Sequence, residues 1–329
     1  MRTMGNLPFI LKPAVQDYLW GGSRLNDDFN LGADITPFAE AWVCSCHPDG
    51  ESTVLGTGET LCEVLKAHPG YLGTHAKAVA GGEFPILIKL IDAKQDLSVQ
   101  VHPDDEYAAA YENGSLGKTE MWYVLDAKPG TQLVYGFNRP VDEKKVREAI
   151  SAGNIEEYLN HADVHKNDVF FITSGMVHAI GAGCLIAEIQ ESSNLTYRLY
   201  DYGRVDKNGR ARELHIDKAI KVMNMNSSAS PRQPMRVLRY KNGTASELLT
   251  RCKYFQVERM LLNTEVQRDL ATFQTGSNSF HCLLCVDGCG SISGEAVHLN
   301  FFKGDCIFVP ADSVPLKLHG KAQLLNVSC

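Results

Sequence analysis

The sequence predicts a mainly β protein built as two modules, the first of which carries helical insertions. Three observations lead there. Short β-rich runs recur between glycine-containing turns, as in FPILIKLI (84–91), LSVQVH (97–102), EMWYVL (120–125), QLVYGF (132–137), DVFFI (168–172) and LIAEIQ (185–190). Strands this short and numerous suit a sandwich or barrel rather than βαβ repeats. The stretch NSSASPRQPMR (226–236) is polar and twice broken by proline, which is the composition of a linker. Beyond it β patterning resumes in FQVERMLL, ATFQ, FHCLLCV, GSISG, AVHLNFF, CIFVP and AQLLNV. The boundaries expected are 1–225 for the first module, 226–238 for the linker and 239–329 for the second module, and 329 residues are enough for two cores.

Helical patterning is local. LCEVLKAHPG (61–70) reads as one helix stopped at Pro69-Gly70, and Asp142 to Leu159 as two short surface helices split at Gly153. A third helix is predicted over Glu213 to Met225. The two modules also echo each other. Lys166-Asn167-Asp168 precedes VFFITSG, and Lys303-Gly304-Asp305 precedes CIFVPADS, each a polar turn, a short apolar strand and a second turn, as in a duplicated unit.

Composition narrows the function. Hydrophobic residues are 44% and charged residues 22%, as in a soluble globular chain. A net charge of −7 without a clustered Lys/Arg run argues against nucleic acid. The N-terminus has no apolar signal core and no 18-residue uncharged apolar stretch follows, so a cytoplasmic protein with no membrane partner is expected, its ten cysteines free. Neither GxGxxG nor GxxxxGK[ST] occurs, which removes the common nucleotide-binding loops.

Three segments carry candidate chemistry. In LSVQVHPDD, side-chain alternation puts Ser98, Gln100 and His102 on one face. In GKTEMWYVL the same period groups Lys118, Glu120 and Trp122. In NDVFFITSGMVHAIG an apolar strand ends in a Ser-Gly turn and His178 opens the next strand. Taken singly, each reads as easily as a solvated strand face or a structural histidine.

Together they resemble the cupin superfamily, whose first motif is HxH followed by a Glu and whose second is G(x)5PxG(x)2H. Gln100-Val101-His102 stands for HxH, with Glu120 displaced by the insertion PDDEYAAAYENGSLGKT. Asn167 and Thr173 take the second motif's first Gly and Pro positions, while Gly175 and His178 match. The longer strings VQVHPDD, GKTEMWYVLDA, SGMVHAIG and AEIQESSNLTYRLYDYGR, with LPFILKPAVQDYLWGG, AEAWVCSCHPDG and RELHIDKA, are similar to the bacterial short-form class I mannose-6-phosphate isomerases. They cover about two thirds of the chain; the rest suits that family's second, degenerate cupin module. The resemblance implies two cupin-type β-barrel (jelly-roll) modules.

It also implies one zinc ion per chain held by His102, Glu120 and His178 with Gln100 as fourth ligand, and a sugar-phosphate substrate. Arg198 matches the catalytic arginine, Arg204 a phosphate-holding residue, and Ser98 and Lys118 residues that look toward substrate. The implied reaction interconverts mannose 6-phosphate and fructose 6-phosphate through a cis-enediolate, in a monomer or weak homo-oligomer. Rival readings are a metal-dependent oxygenase, which Gln100 in place of a histidine disfavours, and a sugar-phosphate binding protein without catalysis. In the second module Gly304-(x)5-Pro310 repeats the motif, but Asp312 replaces its Gly and Pro315 falls where the histidine belongs, so no metal site is expected there. Cys282, Cys285 and Cys289 read as core and surface thiols, Cys44 and Cys46 as packing residues, Trp20 with Gly21 and Gly22 as shaping the barrel entrance and Trp42 as core.

Overall fold

The computed structural model describes residues 6–329 except Asn30, Lys207, Ser230, Arg232, Pro234 and 266–268. Three of these lie in the predicted linker, so that part of the expectation falls outside the described residues. The strands group into three sheets, and "barrel" describes them only loosely. A six-stranded antiparallel sheet runs in the order Val169–Ile172, Glu120–Ala127, Cys184–Glu191, Ile86–Asp92, Glu40–Cys44, Ala14–Gln16. A five-stranded sheet runs Tyr197–Tyr200, Val99–Val101, His178–Ala179, Gln132–Phe137, Leu159–Asp163. The third sheet is ten-stranded and holds all strands from Arg239 onward, with Phe9–Lys12 and Thr53–Val54 added at one edge. The chain's first strand thus completes the second module's sheet, Phe9 to Leu11 lying opposite Phe308 to Cys306.

Alternation along the six-stranded sheet creates its two faces. Ile88, Leu90, Met121, Tyr123 and Ala187 share one apolar core with Leu284, Phe308, Leu325 and Val327 of the ten-stranded sheet. The opposite face carries Trp122, Val124, Ile91 and Ile186, packed with Leu133, Ile180 and Phe170 in a second core against the five-stranded sheet. Two further cores pack behind the five-stranded sheet, around Val101, Phe137 and Leu199, and within the ten-stranded sheet, around Leu283, Phe301 and Leu324; each large apolar side chain so buried contributes about 1.5–3 kcal/mol. The cores also fix which face each polar residue among them must take.

The predicted helices form, one of them shorter than expected, and Arg24–Asp27, Thr74–Val79 and Asp105–Tyr111 are helices beyond those predicted. Leu61–Ala67 is closed by a capping box between Thr60 and Glu63, and Glu143–Ala152 starts on an Asp142 side chain that accepts from Lys145 N at 2.7 Å. Gly153 ends that helix in the left-handed region at φ 70°, and a short 3-10 turn follows at Ile155–Tyr158. The third helix is shorter than predicted, Ile216–Val222, because the Glu213 carbonyl and the His215 ring are engaged by Arg198. Asp105–Tyr111, inside the insertion, is a helix that the apolar pattern did not signal; its Asp104 cap accepts from Tyr107 N at 2.8 Å. No described helix is long and apolar enough to cross a membrane.

Candidate active site

Between the five- and six-stranded sheets lies a cavity of about 250 Å³. Cross-strand register assembles it. Gln100 lies opposite His178 on one side and Arg198 on the other, so three strands deliver three candidate residues to one row. Buried beside the cavity, His102, two residues beyond Gln100, meets Glu120 of the facing sheet, which Lys118 links to the cavity wall. The side chains of His102, Glu120 and His178 are 1%, 0% and 0% exposed.

These three form a compact donor set. His178 Nε2 is 3.1 Å from His102 Nε2 and 3.3 Å from Glu120 Oε1, and His102 Nε2 is 3.7 Å from Glu120 Oε2. Donors about 2.0–2.2 Å from a shared tetrahedral ion stand roughly 3.4 Å apart, so the spacing fits zinc. Both Glu120 carboxylate oxygens are buried without a hydrogen-bond partner, although Lys118 Nζ makes an ion pair at 3.2 Å from Oε2. Desolvation, with Glu188 nearby, pushes the Glu120 carboxyl up to about 7. Burial likewise lowers His178 to about 4 and His102 well below its ordinary value, keeping both imidazoles neutral as metal ligands must be. His178 Nδ1 meets the Met176 carbonyl at 2.8 Å, which puts the proton on Nδ1 and frees Nε2 to donate a lone pair. Gln100 is half-buried and lines the same cavity.

The rest of the cavity is polar and sorted by charge. Lys89 is buried between Glu188 Oε1 at 3.3 Å and Glu40 Oε2 at 3.5 Å, and these two carboxylates, against the opposing cost of burial, hold its ammonium above the usual lysine range. Trp122 Nε1 donates to Glu188 at 2.9 Å and Trp42 Nε1 to Glu40 at 2.7 Å. Trp42, expected in the core, is buried but serves this polar row. Lys89 pairs in register with Glu188 and Trp42, and Glu188 with Trp122, so one sheet face supplies the whole group. Ser98, Lys118 and Arg198 also line the cavity, as do Trp20, Asn194 and Arg212. Arg198 Nε donates to Ser98 Oγ at 3.3 Å and Nη1 to the Glu213 carbonyl at 2.8 Å.

Arg204 sits differently from its sequence expectation. Its guanidinium donates to the Asp96 carbonyl and to Asp201 Oδ1, and it is not among the cavity-lining residues. Sequence reasoning did not single out Lys89, Glu40, Arg212 or Asp201. A signal existed for the first: a lone lysine inside the apolar run FPILIKLI needs a partner, since a buried ammonium is costly unless paired. Cys282 groups not with Cys285 and Cys289 but with Cys44 and Cys306, Cys44 Sγ lying 3.4 Å from Cys282 Sγ. Burial holds the thiols of Cys44 and Cys282 well above their usual range, while hydrogen bonds from these two lower Cys306 to about 5.

Fold and site together define a cupin-type enzyme with a His-Glu-His set suited to a divalent metal. Residues 9–129 match the model of the phosphomannose isomerase type I catalytic domain, and residues 244–329 that of the mannose-6-phosphate isomerase cupin domain. The chain is 36% identical over 322 residues to mannose-6-phosphate isomerase ManA of Bacillus subtilis, covering 97% of this chain and 98% of that protein. It is 34% identical over 321 residues to the mannose-6-phosphate isomerase of Streptococcus mutans, covering 97% of each. A crystal structure of mannose 6-phosphate isomerase from Bacillus subtilis superposes with a TM-score of 0.86 at 32% identity, covering 98% of this chain and 99% of that one. The chain belongs to the type I mannose-6-phosphate isomerase family.

Proposed function

We propose that this protein interconverts D-mannose 6-phosphate and D-fructose 6-phosphate, with one zinc ion per chain held by His102, Glu120, His178 and Gln100. The observation that carries the reading is the buried three-donor set, joined through Lys118 and Gln100 to a cavity that Arg198 and Arg212 also line, in a chain of this family. Bound zinc supplies a Lewis acid that stabilises negative charge on sugar oxygens. Glu120 neutralises part of that cation, and Lys118 beside it balances the carboxylate. Arg198 remains protonated and stabilises the charge that grows on O1 and O2 in a cis-enediolate, the kind of preorganised interaction that contributes most to catalysis. Ser98, oriented by Arg198 Nε, faces the substrate's phosphate end. Arg204 supports that end through Asp201 rather than from the cavity wall. Titratable neighbours for the proton moved between C2 and C1 are Glu188, Lys89 and Glu40. The substrate's phosphate anchors the far end and contributes orientation.

The test is to incubate the zinc-replete, folded protein with each sugar phosphate anaerobically and without nicotinamide, and to follow the other sugar by NMR. Product in both directions supports the isomerase, and deuterium at C2 of mannose 6-phosphate in heavy water would add evidence for the enediolate. Absence of product from either substrate overturns the reading in favour of a sugar-phosphate binding protein, and a need for oxygen favours an oxygenase.

A further inference from the structure

Three guanidinium groups, those of Arg198, Arg204 and Arg212, gather around Asp201, and they are not equivalent. Arg204 spends one nitrogen on the Asp96 carbonyl and another on Asp201, its Nε is buried without a partner, and it does not line the cavity. Arg198 spends Nε on Ser98 and Nη1 on the Glu213 carbonyl. Arg212 is gripped from one side only. Its Nε donates to Asp201 Oδ2 at 2.8 Å and its Nη2 to Asp201 Oδ1 at 2.6 Å, a two-pronged ion pair that fixes the plane of the fork. The Asp201 side chain is 6% exposed and that of Arg212 30%, so the carboxylate is the buried anchor and the guanidinium the accessible part. Arg212 lines the cavity, and the side-chain hydrogen bonds of its guanidinium go to Asp201.

The local charge sums in the same direction. Asp201 is shared by two arginines, leaving a net positive charge, and Arg212 lies near enough to Arg198 to help hold that guanidinium below its usual range, after burial. Two adjacent cations that lower each other's proton affinity favour an anion between them. Resting on the reading that the substrate is a sugar phosphate, we infer that Arg212 is the residue that grips the phosphate and sets specificity for phosphorylated sugars. Asp201 is the positioning residue that presents the Arg212 fork. Arg204 braces Asp201 from behind.

The test compares wild type with Arg212→Ala, Arg212→Lys, Asp201→Asn and Arg204→Ala, using steady-state kinetics on mannose 6-phosphate and calorimetric binding of mannose 6-phosphate and inorganic phosphate. A charge-assisted hydrogen bond is worth a factor of about 10–150, so Arg212→Ala is expected to weaken KM and both dissociation constants by about that factor, with kcat falling much less. Arg212→Lys recovers part of the loss. Asp201→Asn weakens the same three quantities by a smaller factor, and adding it to Arg212→Ala changes them less than twofold, a pattern that loss of structure would not produce. The inference is overturned if folded Arg212→Ala and Arg212→Lys both bind phosphate and substrate within twofold of wild type, or if Arg204→Ala weakens them more than Arg212→Ala does. Should Arg212→Ala fail to fold, Arg212→Lys and Asp201→Asn decide by the same binding constants. Wild type that binds mannose 6-phosphate without turning it over overturns the isomerase reading alone, while calorimetry still ranks the variants.

Discussion

The corresponding turns of the two modules share a backbone and differ in everything that touches it. Asn167 and Gly304 open them at φ 72° and 101°, and Gly175 and Asp312 close them at φ 82° and 50°, all in the left-handed region. Eleven residues past each opening stands His178 in the first and Pro315 in the second. In the first module the helix Ile216–Val222 packs on the closing turn, and a Cβ at Gly175 would come within 2.9 Å of the Val222 carbonyl oxygen. In the second, Asp312 is exposed and keeps its side chain. The neighbouring interior is stitched by hydroxyls: Thr275 Oγ1 donates to the Pro310 carbonyl at 2.6 Å, and Ser313 Oγ accepts from Thr275 N at 3.1 Å. A repeated turn therefore supplies a frame but not a site. Three donors must also meet, as His102, Glu120 and His178 do in the first module, and among the described residues no His-Glu-His set forms in the second.

The largest expected effect attacks that convergence. His102→Ala or His178→Ala should cost at least about a hundredfold in metal affinity and nearly all activity, since losing a direct ligand exceeds the 10–100-fold typical of outer partners. Metal analysis after dialysis is the check, and full zinc occupancy in either variant would remove that histidine from the ligand set. The converse variant, Pro315→His, should leave one ion per chain. A second bound zinc would break the comparison, because it would mean that the frame alone suffices.

Next in size is the charge carried by Arg198. Arg198→Ala should lower kcat by about 10²–10³ with a smaller change in KM, because its partner charge develops only in the transition state. The opposite split in steady-state kinetics would move Arg198 to ground-state binding.

A pH experiment sharpens the contrast between the metal-free and loaded first module. With Glu120 raised to about 7 in the fold from an ordinary value of 4.5, the metal-free native state holds a proton that the unfolded chain has lost between those values. The stability contributed by this group is present below about 4.5 and falls away as pH rises through about 7. Zinc replaces that proton as the neutralising charge. The gain in melting temperature on adding zinc should therefore grow from pH 5 to pH 8, measured by thermal unfolding with and without chelator. A gain that shrinks over that range would contradict a desolvated Glu120 as the ligand.

The smallest effect compares the two closing turns. Gly175→Ala should destabilise by about 1–3 kcal/mol, as expected for a side chain held in a strained conformation. Asp312→Gly should stay within about 1 kcal/mol of wild type, because relief at φ 50° is offset by greater freedom in the unfolded chain. Chemical denaturation of both variants gives the difference, and equal losses would deny that the covering helix is what requires glycine.

Much of this site was legible in one dimension. Period-two alternation placed Ser98, Gln100 and His102 on one face and Lys118, Glu120 and Trp122 on another, and the strands that carry them lie where the apolar runs put them. The glycine that splits 142–159 and the proline that stops the helix at 67 were equally plain, because turn and cap chemistry acts within a few residues. Other features were decided by tertiary structure. Alternation assigns a residue to a face, but partners across a sheet depend on register between segments 50 to 150 positions apart, which no local pattern encodes. That is why Lys89 between Glu40 and Glu188 emerged only in the folded chain; Arg212 and Arg204 both reach Asp201 over a short stretch of sequence, and which of them lines the cavity is set by the packing around that loop. Desolvation works the same way: the sequence by itself names Glu120, while enclosure between two sheets turns it into a carboxylate that requires a cation.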